Sequence, residues 1–105
     1  MKKYERQMTI KEILAQLETA NHPVAKPLHK GDNFKVLVIG FKSGMTLKEH
    51  KAHIPSKLTV ISGTVIYKQD QIETELQKFD EMEIPINIIH SVEAKEDSLC
   101  LLTQG

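Results

Sequence analysis

From Val24 onward, each apolar run in this chain is short and is cut off by a turn residue, a rhythm that restricts the fold to β-structure. Val24 to His29 reads as a weak strand broken by Pro27, followed by a turn at Lys30-Gly31-Asp32-Asn33. Phe34 to Phe41 is a strong strand, with Val36, Leu37, Val38 and Ile39 in succession, and Lys42-Ser43-Gly44 turns the chain again. Leu47 to His53 is polar, Leu58 to Ile61 apolar and Thr64 to Lys68 strand-like. Gln69-Asp70-Gln71 predicts a hairpin into Ile72 to Leu76. Met82 to Ile84, Ile88 to Val92 and Ser98 to Thr103 complete the set. Eight or nine short strands at near-regular spacing point to a β-sandwich or barrel. Several are apolar on both faces, as expected where the second face meets a helix, another sheet or a partner chain.

One segment follows a different period. Thr9-Ile10-Lys11-Glu12 has the form of a capping box, in which the Thr9 side chain and the Glu12 carboxylate each satisfy a first-turn amide. Ile10, Ile13, Leu14 and Leu17 then recur at helical spacing, which predicts one short amphipathic helix ending near Asn21-His22-Pro23. The expected organisation is a single domain over 1–105, with a helical segment over 1–21 and a β-barrel over 22–105.

Composition narrows the partners. A chain of 105 residues is expected to be one domain, long enough for a real core and too short for a second domain. Its 14 basic and 14 acidic residues cancel, and the basic ones are spread out rather than gathered on one stretch. Nucleic acid or an anionic membrane would call for a clustered basic face, so neither is expected as a partner. The Met1-Lys2-Lys3 start resembles that of a signal peptide, but no apolar run follows it. No stretch approaches the length of a membrane span, and a cytoplasmic location is expected. The single cysteine, Cys100, lies in Leu99-Cys100-Leu101-Leu102 and reads as a small buried hydrophobe, not a nucleophile.

Two histidines carry the chemistry. His90 stands after Pro85-Ile86-Asn87-Ile88-Ile89, a turn with a proline and a residue that tolerates positive φ. Upstream runs Gly44, five residues, His50, twelve residues, Gly63. This pattern resembles the cupins, small jelly-roll barrels whose metal sites come from two motifs. The first is glycine, five residues, His-x-His, three or four residues, glutamate, six residues, glycine. Gly44, His50 and Gly63 match it, Ala52 stands at the second histidine, and Ser56 or Lys57 at the glutamate. The second is glycine, five residues, Pro-x-Gly, two residues, histidine, three residues, asparagine. Pro85 and His90 match, Phe79 and Asn87 replace the two glycines, and Ala94 replaces the asparagine.

The resemblance covers residues 34 to 103 and implies an all-β cupin jelly-roll barrel with one short N-terminal helix. Strand alternation puts Lys48, His50 and Ala52 on one face and Glu49, Lys51 and His53 on the other. A third metal donor beside His50 and His90 would need a bulge near Pro55 to turn His53 inward. With all three, a divalent transition metal (iron, manganese, nickel, copper or zinc) is the cofactor such a site could take. The favoured reading is a small-molecule-binding barrel without robust catalysis, its pocket lined by His50, Ala52, Lys57, Ile88 and His90. A metal-dependent enzyme of dioxygenase or isomerase type, and an interaction protein with a filled barrel, are the alternatives. The resemblance also implies a homodimer, with Val36 to Ile39 and the helix face Ile10, Ile13 and Leu17 as candidates for its interface.

Overall fold

The computed structural model describes residues 3–105, so Met1 and Lys2 of the lysine-bearing start lie outside the described residues. One helix, α1 (Thr9–Leu17), precedes nine strands: β1 (Val24–Lys30), β2 (Lys35–Phe41), β3 (Thr46–His50), β4 (Ser56–Ser62), β5 (Val65–Gln69), β6 (Ile72–Leu76), β7 (Glu81–Ile84), β8 (His90–Ala94) and β9 (Ser98–Gln104). They form a five-stranded sheet in the order β1-β2-β9-β4-β7 and a four-stranded sheet in the order β3-β8-β5-β6. Every ladder between these strands is antiparallel. The chain is all-β apart from its one helix, as expected.

The main core lies between the sheets. Ile39, Leu58, Val60 and Cys100 from one sheet meet Val65, Tyr67, Leu76 and Val92 from the other. Alternation is clean on β4, where Ser56, Leu58 and Val60 are buried and the residues between them half-buried. Cys100 is fully buried, and burial pushes its thiol up to about 12, so its role is packing.

A second, smaller core explains the two-faced apolar run of β2. Ile13 and Leu17 of α1 pack on Val24 and Val38, on the outer side of the five-stranded sheet. Gly40 permits that approach: a Cβ there would stand 2.6 Å from Ile13 Cγ2 and 2.7 Å from Leu17 Cδ1. The expected use of Ile13, Leu17, Val38 and Ile39 at a subunit interface is therefore corrected, while Ile10 is exposed and Val36 and Leu37 are half-buried. Ile13, Leu17, Val38 and Ile39 are buried within the chain.

Two expectations for α1 also change. Met8, with φ −129° and ψ 34°, takes the N-cap position, Thr9 is already helical, and no side chain caps the helix. The first turn is largely exposed, so water can satisfy the amides a capping box would have taken. The helix ends at Leu17, four residues short of Asn21.

Candidate functional site at the barrel mouth

β3 is a polar edge strand, and its pairing with β8 is irregular. Leu47 opposes Val92 and His50 opposes His90, so three steps on β3 span two on β8. This bulge turns both Leu47 and His50 toward the space between the sheets. Bulges commonly re-aim a side chain in this way. Lys48 is displaced to the outer face, where with Thr46, Lys68 and Ser91 it lines an open depression, so the expected sharing of a face by Lys48 and His50 is corrected. The bulge sits before His50, not near Pro55.

The result is a direct cross-strand pair of imidazoles. The His50 and His90 ring centroids lie 4.3 Å apart with planes at 58°. His90 is only 2% exposed and His50 is exposed, so the pair runs from the barrel interior to solvent. His90 Nδ1 lies 3.1 Å from the Ile88 carbonyl, and His50 Nδ1 lies 2.9 Å from the Lys48 carbonyl. A carbonyl only accepts, so each Nδ1 carries the donating hydrogen and each neutral ring keeps its Nε2 lone pair free. Burial depresses the His90 pKa; the Ile88 carbonyl opposes that shift and the charge of His50 adds to it. The inner ring thus favours its neutral, accepting form.

Two further residues complete the site. Tyr67 is buried and lies nearly parallel to His90, with ring centroids 5.7 Å apart. Its hydroxyl donates to Gln69 Oε1 at 2.7 Å, and Gln69 opposes His90 in the β5–β8 ladder. The sequence places Tyr67 in a strand-like stretch and Gln69 in the turn that follows it. The turn is instead Asp70-Gln71, both at positive φ, and Gln69 ends β5. Period-two spacing from Val65 through Tyr67 to Gln69 was the available signal.

The other expected site residues distribute as follows. Ala52 is buried in the main core and forms an isolated bridge with Ile86. Asn87 adopts φ 64°, the conformation expected of it, and its N–H donates to the Ala52 carbonyl at 2.8 Å. His53 stays exposed on the opposite side from Ala52, with Nδ1 3.3 Å from Asn87 Oδ1. Ile88 is half-buried and contributes its carbonyl to His90. Lys57 does not face inward. It alternates with buried Ser56 and Leu58 and lies 3.7 Å from Glu83 across the β4–β7 ladder. Glu93 and Ala94 extend β8 beyond the expected strand end at Val92, and Ala94 is buried.

A divalent metal would need a third protein donor. The Nε2 atoms of His50 and His90 supply two. Ala52 and buried Ser56 offer none in their place, and His53 does not join. Among the described residues, no group of three His, Cys, Asp or Glu comes together. The residues present do not fit a closed metal centre. Neither ring lines one of the larger cavities, although open depressions on the outer face reach Gln69 and Ile88 beside the pair, and the side chains of the main core lie beneath it.

No protein-family model matches the sequence, and no curated protein matches it significantly. Solved structures do. A conserved protein with a double-stranded β-helix domain from Klebsiella pneumoniae aligns with a TM-score of 0.77 and 21% identity, over 95% of this chain and 89% of the other. A cupin superfamily protein from Desulfitobacterium hafniense aligns at 0.75 and 20% identity, over 88% and 86%. A cupin 2 conserved barrel domain protein from Leptotrichia buccalis aligns at 0.74 and 29% identity, over 80% of this chain and 41% of that one. No described helix is long and apolar enough to cross a membrane.

Proposed function

From the premise that this chain has the cupin fold of its structural neighbours, we propose that it binds a small polar molecule at the mouth of the barrel, without a metal. The observation that carries this reading is the His50–His90 pair with both Nδ1 atoms tied to backbone carbonyls. Two preset Nε2 acceptors, one buried and one open to solvent, suit a ligand presenting hydroxyl or N–H donors, such as a polyol or an amide. A hydrogen bond to a ring as little exposed as His90 discriminates among ligands, because an unmatched ligand would cover its nitrogen without pairing it. In this reading the two rings act as hydrogen-bond acceptors that hold a ligand, and the protein is a binding protein.

The test is an NMR titration of full-length protein against polyols, sugars and small amides, following the imidazole resonances. Saturable shifts at both His50 and His90 are expected, and they should disappear in His50→Ala. That variant changes an exposed residue and should keep the fold. One metal per chain in elemental analysis, lost in His50→Ala, would overturn the reading.

The filled interior favours a second reading, an interaction protein with no ligand, because small barrels can be completely packed by side chains. A panel that moves neither histidine would select it.

A further inference from the structure

One row of side chains crosses the outer face of the four-stranded sheet with a small residue between two long ones. The β5–β8 ladder sets Lys68 opposite Ser91, and the bulge in β3 carries Lys48 to the other side of Ser91. A serine between two lysines leaves a notch. It opens into the depression that all three line, which measures about 640 Å³, inside the roughly 300–1,000 Å³ range of small-molecule sites.

Ser91 is only 8% exposed, yet no group among the described residues pairs with its hydroxyl. Among those residues no side-chain oxygen is sealed from solvent without a partner, so this hydroxyl opens onto the depression that Ser91 lines. A polar atom in that position is costly to cover unless the covering group pairs with it. The notch therefore selects a ligand group that can share a hydrogen bond.

The neighbours of the notch decide the rest of the chemistry. Lys48 makes no ion pair among the described residues, and Lys68 donates to Glu93 at 2.7 Å. Two carboxylates, Glu49 and Asp70, share the lining with these two cations, and Glu93 and Glu73 stand beside Lys68 as well. Nothing here concentrates an anion. Instead, donors and acceptors stand together. The Gln69 amide is already spent on Tyr67 and Asp70, but the Thr46 hydroxyl, the Lys48 ammonium and the Gln71 amide line the depression with the carboxylates. Ile89, 52% exposed, adds an apolar surface. A sugar ring is the counterpart of such a lining, with hydroxyls that both donate and accept along its edge and C–H groups on its face.

We propose that the outer face of the four-stranded sheet holds a second small-molecule site, which takes a neutral saccharide. One sugar hydroxyl pairs with Ser91 in the notch, its neighbours reach Lys48, Glu49 and Asp70, and the C–H face lies on Ile89. The site is separate from the imidazole pair, whose rings line none of this depression.

An NMR titration of the full chain with maltose, cellobiose and lactose, resolved by backbone amide, tests it. At least one of these sugars should give saturable shifts at Thr46, Lys68 and Ser91. Ser91→Ala and Ile89→Asn should each weaken that binding by about tenfold, the effect of one lost contact in a poorly solvated place. Ile89 is an exposed residue outside the strands, so its variant keeps the test open should Ser91→Ala fold poorly. Amides that stay unmoved by every sugar up to about 10 mM would overturn the proposal. So would shifts of equal strength in both variants, or shifts given by acetate or inorganic phosphate and by no sugar. Shifts that vanish in His50→Ala but survive in these two variants would put the sugar at the barrel mouth, and would overturn it as well.

Discussion

At the scale of single residues, His90 sets how the fold responds to acid. Its pKa in the folded chain is depressed from the ordinary 6.5, chiefly by burial. The unfolded chain therefore takes up this proton first as pH falls. The contribution is fully present above 6.5 and is lost as pH falls toward the depressed folded value. Urea midpoints measured across that range should decline with pH, and His90→Gln, which keeps a hydrogen-bonding side chain without the titration, should flatten the decline. Other charged residues matter less. Lys68–Glu93 and Lys95–Glu75 are close pairs at 2.7 and 2.8 Å, but all four side chains are well exposed, and such pairs contribute little.

At the scale of elements, α1 acts as a cover for the five-stranded sheet. Ile13 is fully buried among Leu17, Val24 and Val38, so Ile13→Ala should cost about 2–5 kcal/mol by transfer and cavity terms. Gly40→Ala should destabilise through the opposite fault, since its Cβ would press on Ile13 and Leu17. Urea denaturation of both variants checks this, with Ile10→Ala, at an exposed position, as the near-neutral control. What the sequence discloses at this scale follows from which signals are local. The Val36 to Ile39 run and the turn at Asn87 are visible without a partner strand, and both stand where expected. The bulge between Leu47 and His50 is not visible, because a bulge is a count of one strand against another. The side taken by Lys57 likewise depends on where β4 begins to alternate. The His50–His90 pairing was legible from the resemblance, while the roles of Tyr67 and Gln69 emerged only once β5 was seen beside β8.

At the scale of the whole molecule, the order of strands departs from their order in the chain. β9 lies in the middle of its sheet, paired on one side with β2 and on the other with β4. It also brings Cys100 and Leu102 to the main core. A chain ending at Asp97 should therefore show no cooperative melting by circular dichroism, although every residue around the His50–His90 pair is still present. A native-like transition in that truncated chain would refute the argument. The central position of β9 has a consequence for synthesis. While Ser98–Gln104 remain inside the ribosome exit tunnel, β2 and β4 have no strand between them, and the emerging chain exposes unpaired edges of just the kind that aggregate. Folding must then wait until β9 has emerged and proceed by long-range closure, in the slow range typical of sheets rich in non-local contacts. Until then, those open edges are the part of the emerging chain that most needs shielding.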